Sequence, residues 1–97
     1  MPIVPIPSQE ELCTQRGAAD FLTRVYNECS SAEFAMALGC VCRARRCLSE
    51  IARKAGMSRP SLYRTLTVGG NLKLTTLQVV LRELDLEVCI KPSRNKS

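Results

Sequence analysis

Between Leu48 and Leu66 two short runs of helical period meet at a single glycine, and this limits the folds open to the chain. Leu48, Ile51, Ala52 and Ala55 recur at three- and four-residue steps up to Gly56, and Ser58 then heads a second run with Leu62 and Leu66 inward. Each run is about two turns long, and helices that short are marginal in water unless a face is buried. The pair therefore needs further helices to cover it. Gly56 can adopt the left-handed conformation that turns the chain without a Cβ clash, Met57 can tuck back into the core, and Ser58 can cap the next helix. Pro60 falls in that helix's first turn, where its missing N–H breaks no internal bond. Arg59, Ser61, Tyr63 and Arg64 are left facing outward.

The same period runs through most of the remaining sequence and predicts an all-α bundle of five or six short helices. Ser8-Gln9-Glu10-Glu11 fits a capping box after a Pro-rich leader and opens a short helix that ends near Gly17. Ala18, Phe21, Leu22, Val25, Tyr26 and Cys29 then form one apolar stripe. A second capping box, Ser30-Ser31-Ala32-Glu33, opens a helix with Phe34, Ala37, Leu38 and Val41 inward that runs into Arg43 to Arg46. After a loop over Thr67 to Lys73, Thr75 or Thr76 begins a last helix with Leu77, Val80, Leu81 and Leu84 inward. From Leu86 to Ile90 the pattern alternates, as in a strand, until Pro92 ends it. A short C-terminal strand would need a partner, which a second copy of the chain could supply; the alternative is an extended tail lying on the bundle. The expected organisation is a Pro-rich leader and short helix over 1–17, a helical domain over 18–90 with its central motif at 48–67, and a basic tail over 91–97.

Several functional classes are disfavoured by what the 97 residues lack. With no His and no Trp, the chain cannot build a Ser-His-Asp triad, a Cys-His dyad or a His-bearing zinc site. The expectation is a non-enzyme without cofactor or metal. The longest apolar stretch, Phe34 to Cys42, is far short of the ~20 residues that cross a bilayer. Met1 to Pro7 has neither the basic residues nor the apolar core of a secretory signal, which points to a cytoplasmic protein. Cys13, Cys29, Cys40, Cys42, Cys47 and Cys89 include no Cys-x-x-Cys pair. Continued helix past residue 42 would put 40 and 47 on one face and 42 on another, so the thiols read as small core residues rather than as metal ligands or redox sensors.

Charge is unevenly spread. Residues 1–42 hold two arginines against five acidic residues, a net of −3, whereas 43–64 hold seven basic residues against Glu50 alone, a net of +6. A segment so basic suits a polyanion; the plainer reading is a solvated surface, the stronger one for Arg43, Arg45 and Arg46. Two short helices joined by a glycine turn, a small Ala52 four residues before it and exposed arginines on the second helix together describe a helix-turn-helix, with Ile51, Met57 and Leu62 filling the wedge.

The run from Leu48 to Leu66, above all Ser58-Arg59 with Leu62-Tyr63-Arg64, closely resembles the addiction-module antidote proteins of the lambda-repressor-like, XRE-type helix-turn-helix class. The likeness continues through Gly70-Asn71 and Thr76-Leu77 and back through Phe34, Ala37-Leu38-Gly39 and Arg43-Ala44-Arg45. It implies the antitoxin of a type II toxin–antitoxin operon: a homodimeric repressor that neutralises a small RelE/ParE-like ribonuclease toxin and regulates its own operon. This chain departs from the pattern in carrying one extra residue between Arg45 and Ile51, with Arg46-Cys47 where the family commonly has Gly then Met. Leu72 stands in place of Pro, and Asp85 in place of a helix-ending Gly.

The expected contacts divide into two groups. Ser58, Arg59, Ser61, Tyr63 and Arg64 would read base edges in the major groove, with the two arginines offering bidentate donors to guanine. Ser49, Arg53, Asn71 and Lys73 would hold phosphates. Tyr63 could instead be an aromatic lid over the bundle. A two-fold dimer would place its reading helices about 34 Å apart on a palindromic operator in the nucleoid. The rival readings are a toxin-binding module working through acidic residues 1–42, and a stand-alone phage-type regulator without a toxin.

Overall fold

Caps set where the helices begin. In the computed structural model, which describes residues 4–68 and 71–93, six helices and no strand are found: α1 Gln9–Cys13, α2 Gln15–Glu28, α3 Ser31–Arg45, α4 Leu48–Ala55, α5 Arg59–Thr67 and α6 Leu74–Glu83. The all-α expectation holds. Both capping boxes form, Ser8 with Glu11 and Ser30 with Glu33. At the second, the Ser30 backbone N–H and hydroxyl donate to the Glu33 carboxylate and hold its pKa below the usual range. Ser58 caps α5 and Pro60 sits in its first turn. None of the helices is long and apolar enough to cross a membrane.

The first boundary differs from its expected place. The chain breaks at Thr14, not near Gly17: the Thr14 hydroxyl accepts the Gly17 N–H and so starts α2 three residues early. Gly17 is there for space, since a Cβ would lie 2.2 Å from the Glu11 carbonyl oxygen. Tyr26, expected inward, is 68% exposed and meets Phe34 edge-on at 5.3 Å. The last helix begins at Leu74, a residue before the threonines that were expected to open it.

Leu86 to Ile90 forms no strand. Leu86 packs half-buried against the core, while Val88 and Ile90 are exposed. No strand or bridge is formed elsewhere among the described residues, so the segment has no ladder partner. Met1 to Ile3 of the leader, Gly69 and Gly70 of the loop, and Arg94 to Ser97 of the basic tail lie outside the described residues.

One core ties the helices together. Its fully buried members, Leu38, Val41, Cys42, Ile51, Leu62, Leu66, Val80 and Leu84, come from α3, α4, α5 and the end of α6, while Phe21, Leu22 and Val25 of α2 close the other side. Two contacts fix the α4–α5 pair within it. Gly39 of α3 lets the backbone of α5 approach closely, since a Cβ there would sit 2.8 Å from the Leu66 carbonyl oxygen. Lys54 of α4 donates to Glu83 of α6 at 2.7 Å.

Candidate nucleic-acid interface

The turn between α4 and α5 has the expected build. Gly56 takes φ 70° at the end of α4, the Met57 N–H returns to the Ala52 carbonyl at 2.9 Å, and Met57 packs half-buried against the core. Ala52 is buried. With Leu62 and Leu66 sunk into the core, α5 turns its remaining side chains outward, and Arg59, Ser61, Tyr63 and Arg64 are all exposed. At about 100° per residue, Arg64 projects opposite the buried stripe, while Arg59 and Tyr63 share a flank one turn apart. Among the described residues no carboxylate pairs with Arg59 or Arg64.

The other expected base-reading residues are more constrained. The Ser58 hydroxyl accepts the Ser61 N–H at 3.2 Å and donates to the Ser61 hydroxyl at 2.9 Å, so it is first of all the cap of α5. The Tyr63 ring is about half exposed, with the Arg43 guanidinium 5.9 Å from its centroid. It thus joins an outward face to a contact with α3, combining features of both readings of this residue.

The four phosphate candidates are all exposed, but they are not equally free. Ser49 lies in the first turn of α4, whose N-cap, Cys47, supplies no side-chain hydrogen bond. Arg53 is ion-paired with Glu50 on its own helix; this contact lowers the pKa of the carboxylate and raises that of the guanidinium. Asn71 and Lys73 stand on the connection into α6.

Three features escaped the sequence reading. Arg45 is not a solvated surface residue: half-buried, it donates to the carbonyls of Leu12 at 3.1 Å, Leu84 at 2.9 Å and Thr14 at 3.1 Å, closing the ends of α1 and α6 onto α3. Its place in the last turn of α3 was legible; the carbonyls waiting there were not. Arg46 and Asp85 take the left-handed conformation, with φ 56° and 62°. Glycine adopts this conformation most easily, and the chain makes both turns without it. Finally, the α3–α4 turn carries Cys47 back over α3, and its neighbour is Cys42. The expected sharing of a face by 40 and 47 fails because the helix ends at Arg45.

A model of the family described as probable addiction module antidote protein matches residues 5–92. Over 85 residues the chain is 34% identical to an uncharacterized protein of Haemophilus influenzae, covering 88% of this chain and 87% of that one. No solved structure matches the chain.

Proposed function

The chain belongs to the family of probable addiction module antidote proteins, and from that premise we propose that it is a sequence-specific DNA-binding repressor and the antitoxin of a type II operon. The observation that carries this reading is the outward face of α5, where Arg59 and Arg64 flank Ser61 and Tyr63 with no carboxylate partner among the described residues. In this reading α4 and α5 are the helix-turn-helix, of the XRE type, and α5 enters the major groove. Arg59 and Arg64 read guanine O6 and N7, Ser61 and Tyr63 contact neighbouring base edges, and Ser58 acts through the cap that aims the helix. Ser49, Asn71 and Lys73 hold phosphates, joined by Arg53 once it exchanges Glu50 for a phosphate oxygen.

The repressor works as a cytoplasmic homodimer on a palindromic operator at its own promoter. The exposure of Val88 and Ile90 supports packing of this C-terminal segment against a second chain. The toxin is a basic, RelE/ParE-like ribonuclease; the exposure of Asp20 and of Glu28, which lies 3.9 Å from Arg24, supports the outer face of α2 as its footprint. No catalytic role is assigned to this chain.

Binding to the duplex upstream of its own gene, compared with a scrambled duplex, tests the base-reading assignment. Arg59→Ala and Arg64→Ala each lower affinity for the upstream duplex by about 1–3 kcal/mol and leave the scrambled duplex nearly unchanged. Lys73→Ala weakens both alike and reduces the salt slope by about 1. Equal losses on the two duplexes for both arginine variants would refute base reading by α5.

A further inference from the structure

The turn from α3 to α4 folds one thiol onto another. Arg46, left-handed at φ 56°, reverses the chain so that the Cys47 N–H donates to the Cys42 carbonyl at 3.2 Å, and the Cys47 Sγ lies 3.7 Å from the same oxygen. In such a helix ending, the residue after the left-handed position packs its side chain on the last full turn. Here both side chains are cysteines, brought together by that turn. Cys42 is fully buried, with nothing of it exposed to solvent, whereas Cys47 is half-buried and reachable from outside. We propose that Cys42 and Cys47 are an oxidation site, a dithiol that a peroxide converts into a disulfide stapling the end of α3 to the start of α4.

The asymmetry of the pair gives the order of events. The hydrogen bond from Cys42 lowers the Cys47 thiol to about 7, with Arg45 assisting and Glu83 opposing, so thiolate is present near neutral pH. The same bond and burial raise Cys42 and keep it a thiol. The Cys47 thiolate attacks hydrogen peroxide, the O–O bond breaks, and Cys47 sulfenic acid and hydroxide result. The Cys42 sulfur then attacks the sulfenic sulfur: the S–S bond forms, the S–O bond breaks, and water leaves with the Cys42 proton. Hydroxide takes up the proton that Cys47 released on ionising. Two electrons leave the dithiol and reduce one peroxide to two waters. Because Cys47 is the N-cap of α4, the bond fixes the first residue of the α4–α5 unit to the core.

The test uses the full reduced chain, a small excess of hydrogen peroxide, and intact and fragment mass spectrometry. The expected product is a monomer about 2 Da lighter, linked between Cys42 and Cys47. Cys40→Ala keeps this product and Cys47→Ala abolishes it. In Cys42→Ala the sulfenic acid persists on Cys47 and is trapped by a 1,3-diketone. Should the Cys42 variant not fold, the half-buried Cys47 variant still decides the question. A bridge between Cys40 and Cys47, or oxidation confined to the exposed Cys13 and Cys89, would overturn the proposal. No DNA enters the assay, so its outcome is independent of the repressor reading.

Discussion

Replacing Arg45 by Met should destabilise the protein more than the loss of any exposed arginine. The variant keeps an aliphatic stem of similar length and removes the guanidinium, so what is lost is the set of hydrogen bonds to Leu12, Thr14 and Leu84. Bonds to a charged donor contribute about 1.5–3 kcal/mol each. The bonds to Leu12 and Leu84 are partly buried, so we count them at the low end of that range, and the exposed bond to Thr14 adds little. The sum is about 3 kcal/mol, a large part of the roughly 5–15 kcal/mol that holds a domain together. Melting should fall by roughly 12–24 °C. Arg45→Lys should lie between, because an ammonium is a point donor and cannot serve carbonyls from two helix ends as a planar fork does. Arg43→Met is the control: it is exposed on the same helix and forfeits only its contacts with Tyr63 and the Cys40 sulfur. Urea unfolding followed by circular dichroism, with the denaturant slope unchanged, gives the values. If Arg45→Met falls within about 0.5 kcal/mol of Arg43→Met, Arg45 is a solvated surface residue after all and the clamp between α1, α3 and α6 does not exist.

The two left-handed turns and the approach of α5 to Gly39 give further expectations. Arg46→Gly should stabilise by about 0.5–1 kcal/mol, since the ~1–2 kcal/mol cost of a left-handed side chain exceeds what glycine loses to unfolded-state freedom. Asp85→Gly should gain less, because Asp tolerates that conformation better; a urea midpoint that falls in both variants would contradict the two turns. Gly39→Ala should be net destabilising by about 1–2 kcal/mol, the clash with the Leu66 carbonyl outweighing the ~1 kcal/mol that alanine gains inside a helix. A rise in melting temperature for that variant would show that α5 does not lie against α3.

What could be read from the sequence was whatever residue type and spacing decide locally. Ser8, Ser30 and Ser58 announced three helix starts because a hydroxyl three residues ahead of a free N–H has one obvious use. Gly56 announced the turn, and the period of Leu62 and Leu66 settled which face of α5 is outward. Where two local signals competed, the reading slipped. Thr14 and Gly17 could each mark a boundary, and only the Glu11 carbonyl against Gly17 shows why the glycine belongs inside α2. Long-range partners left no trace in the spacing: Arg45 meets residues 31 to 39 positions away. The Cys42–Cys47 pair was hidden because the turn that makes it uses arginine in a conformation that usually advertises itself by glycine. Of the candidate interface, the exposed faces of α5 were legible; the cap duty of Ser58 and the Glu50 contact of Arg53 depended on neighbours whose geometry composition does not give.

The position of α5 is set by residues other than those on its outward face. At nine residues this helix is too short to persist alone, so its position is set by two leucines, by the Ser58 cap and by the backbone contact at Gly39. None of these depends on the side chains of Arg59 or Arg64. The guanidiniums therefore project from a surface whose rigidity is maintained elsewhere, and a side chain that contributes nothing to folding can be selected purely for what it touches. Positive charge gathered on such a surface raises the energy of the folded chain slightly, and a polyanion that neutralises it lowers that energy again. The acidic half of the chain does not cancel the charge locally. Lys54 is drawn to Glu83 and Arg53 to Glu50, while the α5 arginines have no such carboxylate among the described residues. Charge is neutralised where it steadies α4 and, among the described residues, left open on α5, the face to which the proposed DNA contact is assigned.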